Sequence, residues 1–311
     1  MTGPLRTIPL VFTRPANLAD EQILAVVRDR WAPGAVAVRH LPVGFGAWHW
    51  RVDVPDGQAL FATLDAPLWH TARSAEATYA GVAALAATLE FVHPPLATRA
   101  GGYTASVGEG WLSVTRWLDG EQPATFDERA IGFLHRLHAA PAPDGVLDWI
   151  PQVDASLVDR LKDWTATAWT GGPFGETARA AVLDALPRVD RQLSSYLTLV
   201  DRLDPDRFVP THGEPGAHNQ WRTRAGTLLL VDWETLRRAP RERDLWALPE
   251  AARRGLPADP GMAGLFQLDW ILSEVESYSE WLRGPHADDA DTRTALDGLR
   301  NELTRPAYPA D

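Results

Sequence analysis

The chain has 311 residues, of which 45% are hydrophobic and 23% are charged, a composition that excludes extensive disorder. No stretch approaches the roughly 18 apolar residues that a membrane-spanning helix needs. The net charge of −11 disfavours binding to nucleic acid or to an anionic membrane. The sequence has no cysteine, which excludes disulfides and thiolate nucleophiles, and the first ten residues lack the pattern of a signal peptide. We therefore expect a cytoplasmic protein.

The first 115 residues have the pattern of a small β-rich lobe. Apolar and polar residues alternate in several short runs, as they do in half-buried strands. The expected elements, in chain order, are a helix capped by Asn17 that continues to Trp31, strands at 36–41, 48–54 and 58–64, a helix at 72–89, and short strands near 96–98 and 112–115.

From Arg116 onward the pattern changes to helices that are interrupted by proline and glycine. The helices expected here cover residues 130–138, 182–203 and 264–282. The sequence thus predicts an α+β protein with two lobes, residues 1–115 and 116–311. A cleft between two lobes is a common place for a ligand.

One segment carries residues suited to chemistry. Residues 209–220 form a polar loop, and after a turn the apolar run 228–231 leads directly to Asp232. A carboxylate at the end of a buried strand needs a cation or hydrogen bonds to offset its desolvation. Asp232, the side-chain oxygen of Asn219 and phosphate oxygens could bind Mg²⁺. Glu214 could accept a proton from a substrate hydroxyl.

These residues form two motifs. His-Gly-Glu-x-x-x-x-Asn begins at His212, and Val-Asp-Trp-Glu places its aspartate thirteen residues after Asn219. The pair resembles the catalytic and metal loops of the aminoglycoside phosphotransferase family, a small-molecule branch of the protein-kinase-like fold. Two further segments are similar to parts of that family: residues 43–50 to its glycine-rich loop, and residues 239–246 to the element after the metal aspartate, especially in the spectinomycin phosphotransferase branch. The resemblance covers roughly residues 20–285.

The resemblance implies a bilobal protein-kinase-like fold, with a nucleotide-binding lobe at 1–115 and a catalytic and acceptor-binding lobe at 116–311. It implies that Glu214 is the catalytic base, that His212 braces the catalytic loop, and that Asn219 and Asp232 bind Mg²⁺. The nucleotide contacts that it implies are Gly44, Phe45, Gly46, Arg51, Thr63, Thr115 and Trp117. The implied reaction transfers the γ-phosphoryl group of ATP or GTP to a hydroxyl.

The chain departs from the family pattern at two positions. The family has aspartate where this chain has Glu214, whose extra methylene moves the carboxylate by about 1 Å. The lysine that the family places on the third strand falls on Thr63, and the only lysine of the chain is Lys162. Arg51, Arg73 and His49 are the candidates to meet the phosphates in its place.

The acceptor implied by the resemblance is a small hydroxylated molecule, with a cationic aminoglycoside or aminocyclitol antibiotic first and resistance as the result. A nucleoside antibiotic, a sugar or another metabolite is an alternative acceptor. Acidic residues at 269, 274, 276 and 288 would suit ammonium groups, although a solvated helix face explains them equally well. In another class, the chain is a catalytically weak kinase-like protein that binds a nucleotide or ligand; a third interpretation is a structural protein with a coincidental motif.

Overall fold

The computed structural model describes residues 14–15, 17–43, 47–55, 57–66, 70–254 and 256–306. Within these ranges the chain forms two compact units. The sheet unit comprises the described residues of 14–149 and 206–257, and the helical unit comprises residues 150–205 and 258–306. The predicted lobe boundary after residue 115 stays a prediction.

The sheet unit contains a five-stranded antiparallel sheet in the order β1-β2-β3-β5-β4. Its strands are β1 Ala37–Leu41, β2 Ala47–Asp53, β3 Ala59–Asp65, β4 Thr104–Val107 and β5 Gly110–Arg116. Because alternate residues of a strand point to opposite faces, Trp50, Ala62 and Leu64 lie on one face and pack with Ile23 and Val27 of helix α1 (Asp20–Arg30) in a buried core. The other face carries His49, Arg51, Phe61, Thr63 and Asp65.

The alternating patterns predicted the first three strands and β5 correctly, but two other expectations were wrong. Helix α1 is capped at Ala19, whose N–H donates to the Gln22 side chain (2.9 Å), so Asn17 lies outside the helix. Residues 96–98 are not a strand. Because the two preceding prolines have no N–H to donate, this segment makes one ladder-like bond, from Leu96 to Val114 (2.7 Å), and β4 takes the place beside β5.

Helix α2, Ala72–Ala86, follows the sheet's third strand and contributes to the site described below. Its first turn is capped by Thr71, whose hydroxyl accepts from the Ser74 N–H (3.2 Å). Tyr79, Val82 and Leu85 lie on its buried face, as predicted. The helix ends three residues before the expected Leu89. A third helix of the sheet unit, α3, covers Arg129–Ala139 and confirms the expected 130–138.

Short strand pairs hold the predicted polar loop in place. They are formed by β6 Gly120–Glu121, β7 Val209–Thr211, β8 Gln220–Thr223, β9 Leu228–Leu230 and β10 Arg237–Ala239. Strand β7 pairs with β10, and β8 pairs with both β6 and β9. The predicted order of polar loop, turn and buried strand is confirmed, whereas β7 and β8 were not expected.

One further short helix, α6 Glu250–Arg253, belongs to the sheet unit. The helices of the helical unit are α4 Leu157–Thr165, α5 Gly175–Val200, α7 Pro260–Arg283 and α8 Ala290–Thr304. The long helices expected at 182–203 and 264–282 are present, but both begin earlier. Asp259 caps α7 by accepting from the Gly261 N–H (2.8 Å), which explains the earlier start of that helix. Among the described residues, no helix is long and apolar enough to cross a membrane.

Gly120 provides a test of the β6–β8 contact. It has a φ of +153°, and a Cβ at this position would overlap the carbonyl of Arg222. We expect Gly120→Ala to lower the free energy of unfolding by about 2 kcal/mol or more in urea titrations. The control is Gly132→Ala on α3, where a Cβ meets open space, and where alanine should be neutral or stabilising by up to about 1 kcal/mol. Equal effects of the two substitutions would contradict the contact.

Candidate active site

A fully buried carboxylate, that of Asp244, organises the loop that carries Glu214. Its Oδ2 accepts from the backbone N–H of His212 (3.1 Å) and hydrogen-bonds to Nε2 of His138 (2.8 Å), and its Oδ1 accepts from the N–H of Gly213 (2.5 Å). Burial alone would raise the pKa of Asp244, but the hydrogen bond and charge of His138 and the loop N–H groups outweigh burial and lower the pKa. The loop is therefore held around a fixed negative charge.

His212 connects this loop to the strand end that precedes Asp232. Its Nε2 donates to the carbonyl of Val231 (2.9 Å), and its Nδ1 accepts from the N–H of Glu214 (3.3 Å). This hydrogen-bond pattern assigns a neutral ring with the proton on Nε2, and burial lowers the pKa of His212 accordingly. The ring also contacts Trp233, with 4.4 Å between the ring centroids. Both nitrogens are thus engaged, which fits a bracing role rather than proton transfer.

Glu214, the predicted base, lies close to Asn219 and Asp232, the predicted metal ligands, in the sheet unit. The Asn219 side-chain amide donates to the carbonyl of Glu214 (2.9 Å), which leaves its side-chain oxygen for a ligand. The N–H of Val231 donates to the carbonyl of Asn219 (3.0 Å), so the residue before Asp232 is bonded directly to the loop. The carboxylate of Glu214 is partly buried and lies 3.6 Å from Nε2 of His218. The neighbouring Glu214 carboxylate raises the pKa of His218.

Asp232 has an unusual backbone and an unusual carboxylate. Among the described residues it is the only non-glycine with positive φ, at +63°. Aspartate tolerates this left-handed conformation better than most residues, yet such conformations cost of order 1–3 kcal/mol and concentrate at functional sites. Asp232 is exposed to solvent, although protein atoms surround its carboxylate on most sides. Restricted hydration, and then the negative charge of Glu214, raise the pKa of Asp232 to about 6.

A second pair of acids lies beside Asp232. Asp65 at the end of β3 is 1% exposed, and its Oδ2 accepts from the hydroxyl of Tyr79 (2.7 Å). The carboxyl of Glu234 is a hydrogen-bonding neighbour of Asp65. Burial raises the pKa of Asp65 to about 7, and burial together with the charges of Asp232 and Asp65 raises the pKa of Glu234 well above its usual range. The pair therefore retains a proton at mildly acidic pH.

The donor atoms near Asp232 suit a hard divalent cation. The Asp232 carboxylate and the Asn219 amide oxygen are ligand types that Mg²⁺ prefers. Among the described residues, no group of three or more His, Asp or Glu side chains is arranged to hold a metal ion. A Mg²⁺ ion bound by these two residues would therefore complete its shell with phosphate oxygens and water, as Mg²⁺ commonly does beside nucleotides.

The predicted nucleotide contacts share one face of the sheet. Thr63 is hydrogen-bonded to Nδ1 of His49 (3.2 Å), and the ring of His49 stacks on Phe61 with 5.0 Å between centroids. The guanidinium of Arg51 lies over the Trp117 ring (4.5 Å to its centroid). Thr115 pairs with Phe61 across the sheet. This arrangement places Thr63, Thr115, Arg51 and Trp117 together; Gly44, Phe45 and Gly46 lie outside the described residues.

The candidates to replace the missing lysine differ in their surroundings. Burial lowers the pKa of His49 to about 4, so this ring is neutral near pH 7 and supplies no positive charge. Arg51 also donates to Asp53 (2.9 Å), which partly neutralises its charge. Arg73 is exposed at the start of α2. None of the three therefore reproduces an unpaired lysine beside Thr63.

The acidic residues suggested for an ammonium acceptor are engaged inside the helical unit. Asp269 accepts from the hydroxyl of Tyr196 (2.6 Å) and from the N–H of Gln152 (3.0 Å). The other three have partners of their own: Glu276 pairs with Arg160 (2.6 Å), Asp288 with Arg293 (2.7 Å), and Glu274 is hydrogen-bonded to Tyr278. The solvated-face interpretation and these internal contacts account for them without an ammonium ligand.

Sequence reasoning missed Asp65, Tyr79 and His138 as parts of this site. Asp65 carries the same signal as Asp232, because it ends an apolar strand and needs a partner for its buried charge. Tyr79 and His138 had no such signal, since a residue on the apolar face of a helix is indistinguishable from an ordinary core residue until the fold supplies its partner.

Asp244→Asn tests the charge that holds the loop. Because the N–H groups of His212 and Gly213 and the ring of His138 would lose a buried carboxylate partner, we expect the free energy of unfolding at pH 7 to fall by about 3 kcal/mol in urea titrations. The control is Asp154→Asn, which removes an exposed pair with Arg160 and should change stability by at most about 1 kcal/mol. A carboxyl whose pKa is lowered by folding stabilises the folded protein at pH values above its unfolded pKa. This stabilisation is lost as the pH falls through the lower pKa of the folded state. The deficit of Asp244→Asn should therefore persist from pH 5 to 8 and shrink below about pH 4.

Asp65→Asn tests the second acid pair through the pH dependence of stability. A raised carboxyl pKa means that the folded protein holds its proton more tightly, so this contribution is greatest below about pH 4 and is lost as pH rises through the folded value of about 7. In urea titrations between pH 4.5 and 7.5, the wild type should lose stability relative to Asp65→Asn as pH rises, by at most about 1.4 kcal/mol per pH unit for one proton. Parallel pH profiles would show that the pair does not retain its proton.

Comparisons with known proteins identify the family of this chain. Residues 38–280 match the profile of the phosphotransferase enzyme family, APH. The protein StrN of Streptomyces griseus is 31% identical over 101 residues, which is 32% of this chain and 31% of StrN, so the chain spans about a third of the length of this relative.

Solved structures share the fold. Spectinomycin phosphotransferase APH(9)-Ia, crystallised with ADP and spectinomycin, superposes with a TM-score of 0.72 at 11% identity, over 92% of this chain and 94% of that one. Amicoumacin kinase hAmiN, crystallised with AMP-PNP, Ca²⁺ and its substrate, gives 0.59 at 12% identity over 95% and 97% of the two chains. These likenesses confirm the predicted α+β, protein-kinase-like fold. Since the profile covers most of its length, the chain belongs to the phosphotransferase enzyme family, the family of the aminoglycoside phosphotransferases.

Proposed function

We propose that this protein transfers the γ-phosphoryl group of ATP or GTP to a hydroxyl of a small molecule, with Mg²⁺ as the metal. The observation that carries the proposal is the proximity of Glu214, Asn219 and Asp232: the Asn219 side-chain amide donates to the Glu214 carbonyl, and the N–H of Val231, the residue before Asp232, donates to the Asn219 carbonyl. Phosphoryl transfer needs a base beside the acceptor hydroxyl and a metal site beside the phosphates. This arrangement supplies candidates for both.

In this mechanism Glu214 orients the acceptor hydroxyl and receives its proton. The hydroxyl oxygen forms a bond to the γ-phosphorus while the bond from that phosphorus to the β–γ bridging oxygen breaks, and the nucleoside diphosphate leaves. Asn219 and Asp232 would hold Mg²⁺, which would neutralise phosphate charge. His218 places an imidazole next to the base. His212 and Asp244 keep the loop in this conformation through the bonds described above.

The proposed nucleotide contacts Arg51, Thr63 and Thr115 share the face of the five-stranded sheet that also carries His49 and Phe61. Thr115 lies near the end of β5 and Trp117 follows that strand, where the hinge of this fold would meet the base. Gly44, Phe45 and Gly46 are proposed to approach the phosphates. We infer that the lack of a lysine near Thr63 leaves the bound metal as the main source of positive charge on the phosphates.

The proposed acceptor is an antibiotic, aminoglycoside-like or aminocyclitol-like first, and its phosphorylation in the cytoplasm would confer resistance. The likeness to spectinomycin phosphotransferase and to amicoumacin kinase supports this class. A nucleoside antibiotic, a sugar or another metabolite would use the same chemistry. Given the net charge of −11, neither nucleic acid nor membrane is proposed as a partner.

A second candidate is a kinase-like protein that binds a nucleotide or ligand with little activity. Thr63 in the lysine position and Glu214 in the base position favour it. Retention of both Asn219 and Asp232 favours the enzyme, because a binding protein has no chemical need for a complete pair of metal ligands beside a carboxylate base.

Asp232→Asn tests the proposed metal site without disturbing the backbone, since asparagine also tolerates the left-handed conformation. Saturating ATP or GTP with Mg²⁺ should stabilise the wild type by about 2.7 kcal/mol at 100 times the dissociation constant. The thermal shift should require Mg²⁺ and disappear in Asp232→Asn, while Asp148→Asn, a surface control in the sheet unit, should keep it. Glu214→Gln should keep nucleotide binding and lose transfer to a panel of acceptors by about 10²-fold or more.

Outcomes separate the two candidate functions. Metal-dependent nucleotide binding together with transfer that is lost in Glu214→Gln supports the enzyme. Binding with equal, background-level transfer in the wild type and Glu214→Gln favours the binding protein. No stabilisation by either nucleotide at millimolar concentration would contradict the enzyme and leave a protein that binds another ligand as the favoured candidate.

A further inference from the structure

Protein kinases join the third strand to the helix that follows it by a lysine–glutamate ion pair. This chain lacks both partners at the corresponding places. Strand β3 carries Thr63, and the only lysine of the chain, Lys162, lies on α4 in the helical unit. The only acid of α2, Glu76, is engaged with β4: its carboxylate accepts from the N–H groups of Tyr103 (2.9 Å) and Thr104 (3.0 Å) and from the Thr104 hydroxyl (2.7 Å).

A different contact joins the same two elements. Asp65 lies two residues after Thr63 on the same face of β3, and its carboxylate accepts from the hydroxyl of Tyr79 on α2 (2.7 Å). Both residues are buried, with 1% and 6% of their surface exposed. The Tyr79 hydroxyl is also a hydrogen-bonding neighbour of Ser113 on β5. A buried phenol therefore connects α2 to two neighbouring strands.

Asp65 also lies next to the segment that carries Asp232. Among the described residues, Oδ1 of Asp65 receives no hydrogen bond from an N–H or a hydroxyl, although it is buried. The carboxyl of Glu234, two residues after Asp232, is a hydrogen-bonding neighbour of Asp65. Asp65 therefore borders the segment that carries Asp232 as well as helix α2.

A second contact holds α2 to the same segment. Arg237, which begins β10, donates from its guanidinium to the hydroxyl of Thr78 (2.8 Å). Thr78 is the neighbour of Tyr79 on α2, and both are buried. Gly81, one turn farther along, allows close approach of the Leu236 side chain, 3.1 Å from the position a Cβ would take. Helix α2 is thus fixed to the residues after Asp232 on both sides of Tyr79.

We propose that Tyr79 and Asp65 are positioning residues that replace the lysine–glutamate ion pair, holding α2 and β3 in register with the segment that carries the metal ligand Asp232. This inference rests on the proposed function. A phenol and a carboxylate can position the strand, but unlike lysine they bring no positive charge to the phosphates. The protein should therefore depend on the metal for nucleotide affinity, and on this tether for the placement of the metal ligand.

Tyr79→Phe tests the inference, and the chain offers a matched control. Tyr196→Phe removes an equally buried phenol–carboxylate bond, to Asp269 (2.6 Å), in the helical unit. Both variants should lose similar stability in the absence of ligands. In thermal-shift titrations at fixed ATP without acceptor, Tyr79→Phe should raise the Mg²⁺ concentration for half-maximal stabilisation at least tenfold, whereas Tyr196→Phe should change it less than twofold.

Asp65→Asn provides a second variant in case Tyr79→Phe folds poorly, because asparagine keeps an acceptor for the phenol but loses the carboxyl pair with Glu234. It should also raise the Mg²⁺ requirement, and the double variant should show less than the product of the two single effects. Equal Mg²⁺ titrations for Tyr79→Phe, Asp65→Asn and the Tyr196→Phe control would overturn the inference alone. A wild type without any Mg²⁺-dependent stabilisation by nucleotide would instead contradict the proposed function, and the inference with it.

Discussion

The hydrogen bonds of Asp244 are the constraint on which the rest of the candidate site depends. A buried carboxylate has to be compensated, and here the compensation comes from the backbone of the Glu214 loop and from His138 on α3. The loop is therefore shaped around a charge that belongs to neither the proposed base nor the proposed metal ligands. His212 links Asp244 to the strand end before Asp232. Its backbone N–H donates to the carboxylate of Asp244, and its ring donates to the carbonyl of Val231.

Negative charge accumulates around Asp232, which has Glu214 on one side and the Asp65–Glu234 pair on the other. Restricted hydration, and then the charge of Glu214, raises the pKa of Asp232; restricted hydration, and then the charges of Asp232 and Asp65, raises the pKa of Glu234. A divalent cation bound at the proposed site would relieve this repulsion. A lysine on β3 would relieve part of the same repulsion, and the pairing of Asp65 with Tyr79 shows how the chain is built without one.

The sequence alone was sufficient for those parts of the structure that are encoded locally. The alternation in β2 and β3 and the helical spacing in α2 and α7 predicted elements that the structure contains. The two motifs around Glu214 and Asp232 also predicted their proximity, because their residue types resemble a known family. Asp65 and Tyr79 escaped prediction because their meeting depends on the register of α2 against β3, which no local pattern contains. The strand expected at 96–98 was wrong for a related reason: apolar residues after two prolines look like a strand, but strand β4 offers the better hydrogen-bonding partner.

The left-handed backbone of Asp232 restricts which amino acids this position can hold in related sequences. Glycine and asparagine enter that conformation at low cost, but neither carries a negative charge. Glutamate carries the charge, but its longer side chain lacks the local backbone hydrogen bonding that makes aspartate tolerant of positive φ. The left-handed backbone and the requirement for a negative charge thus accept different replacements for Asp232. Aspartate satisfies both requirements. A lineage that loses Asp232 would have no single-residue substitute, so we expect loss at this position to be a one-way step toward a protein that only binds.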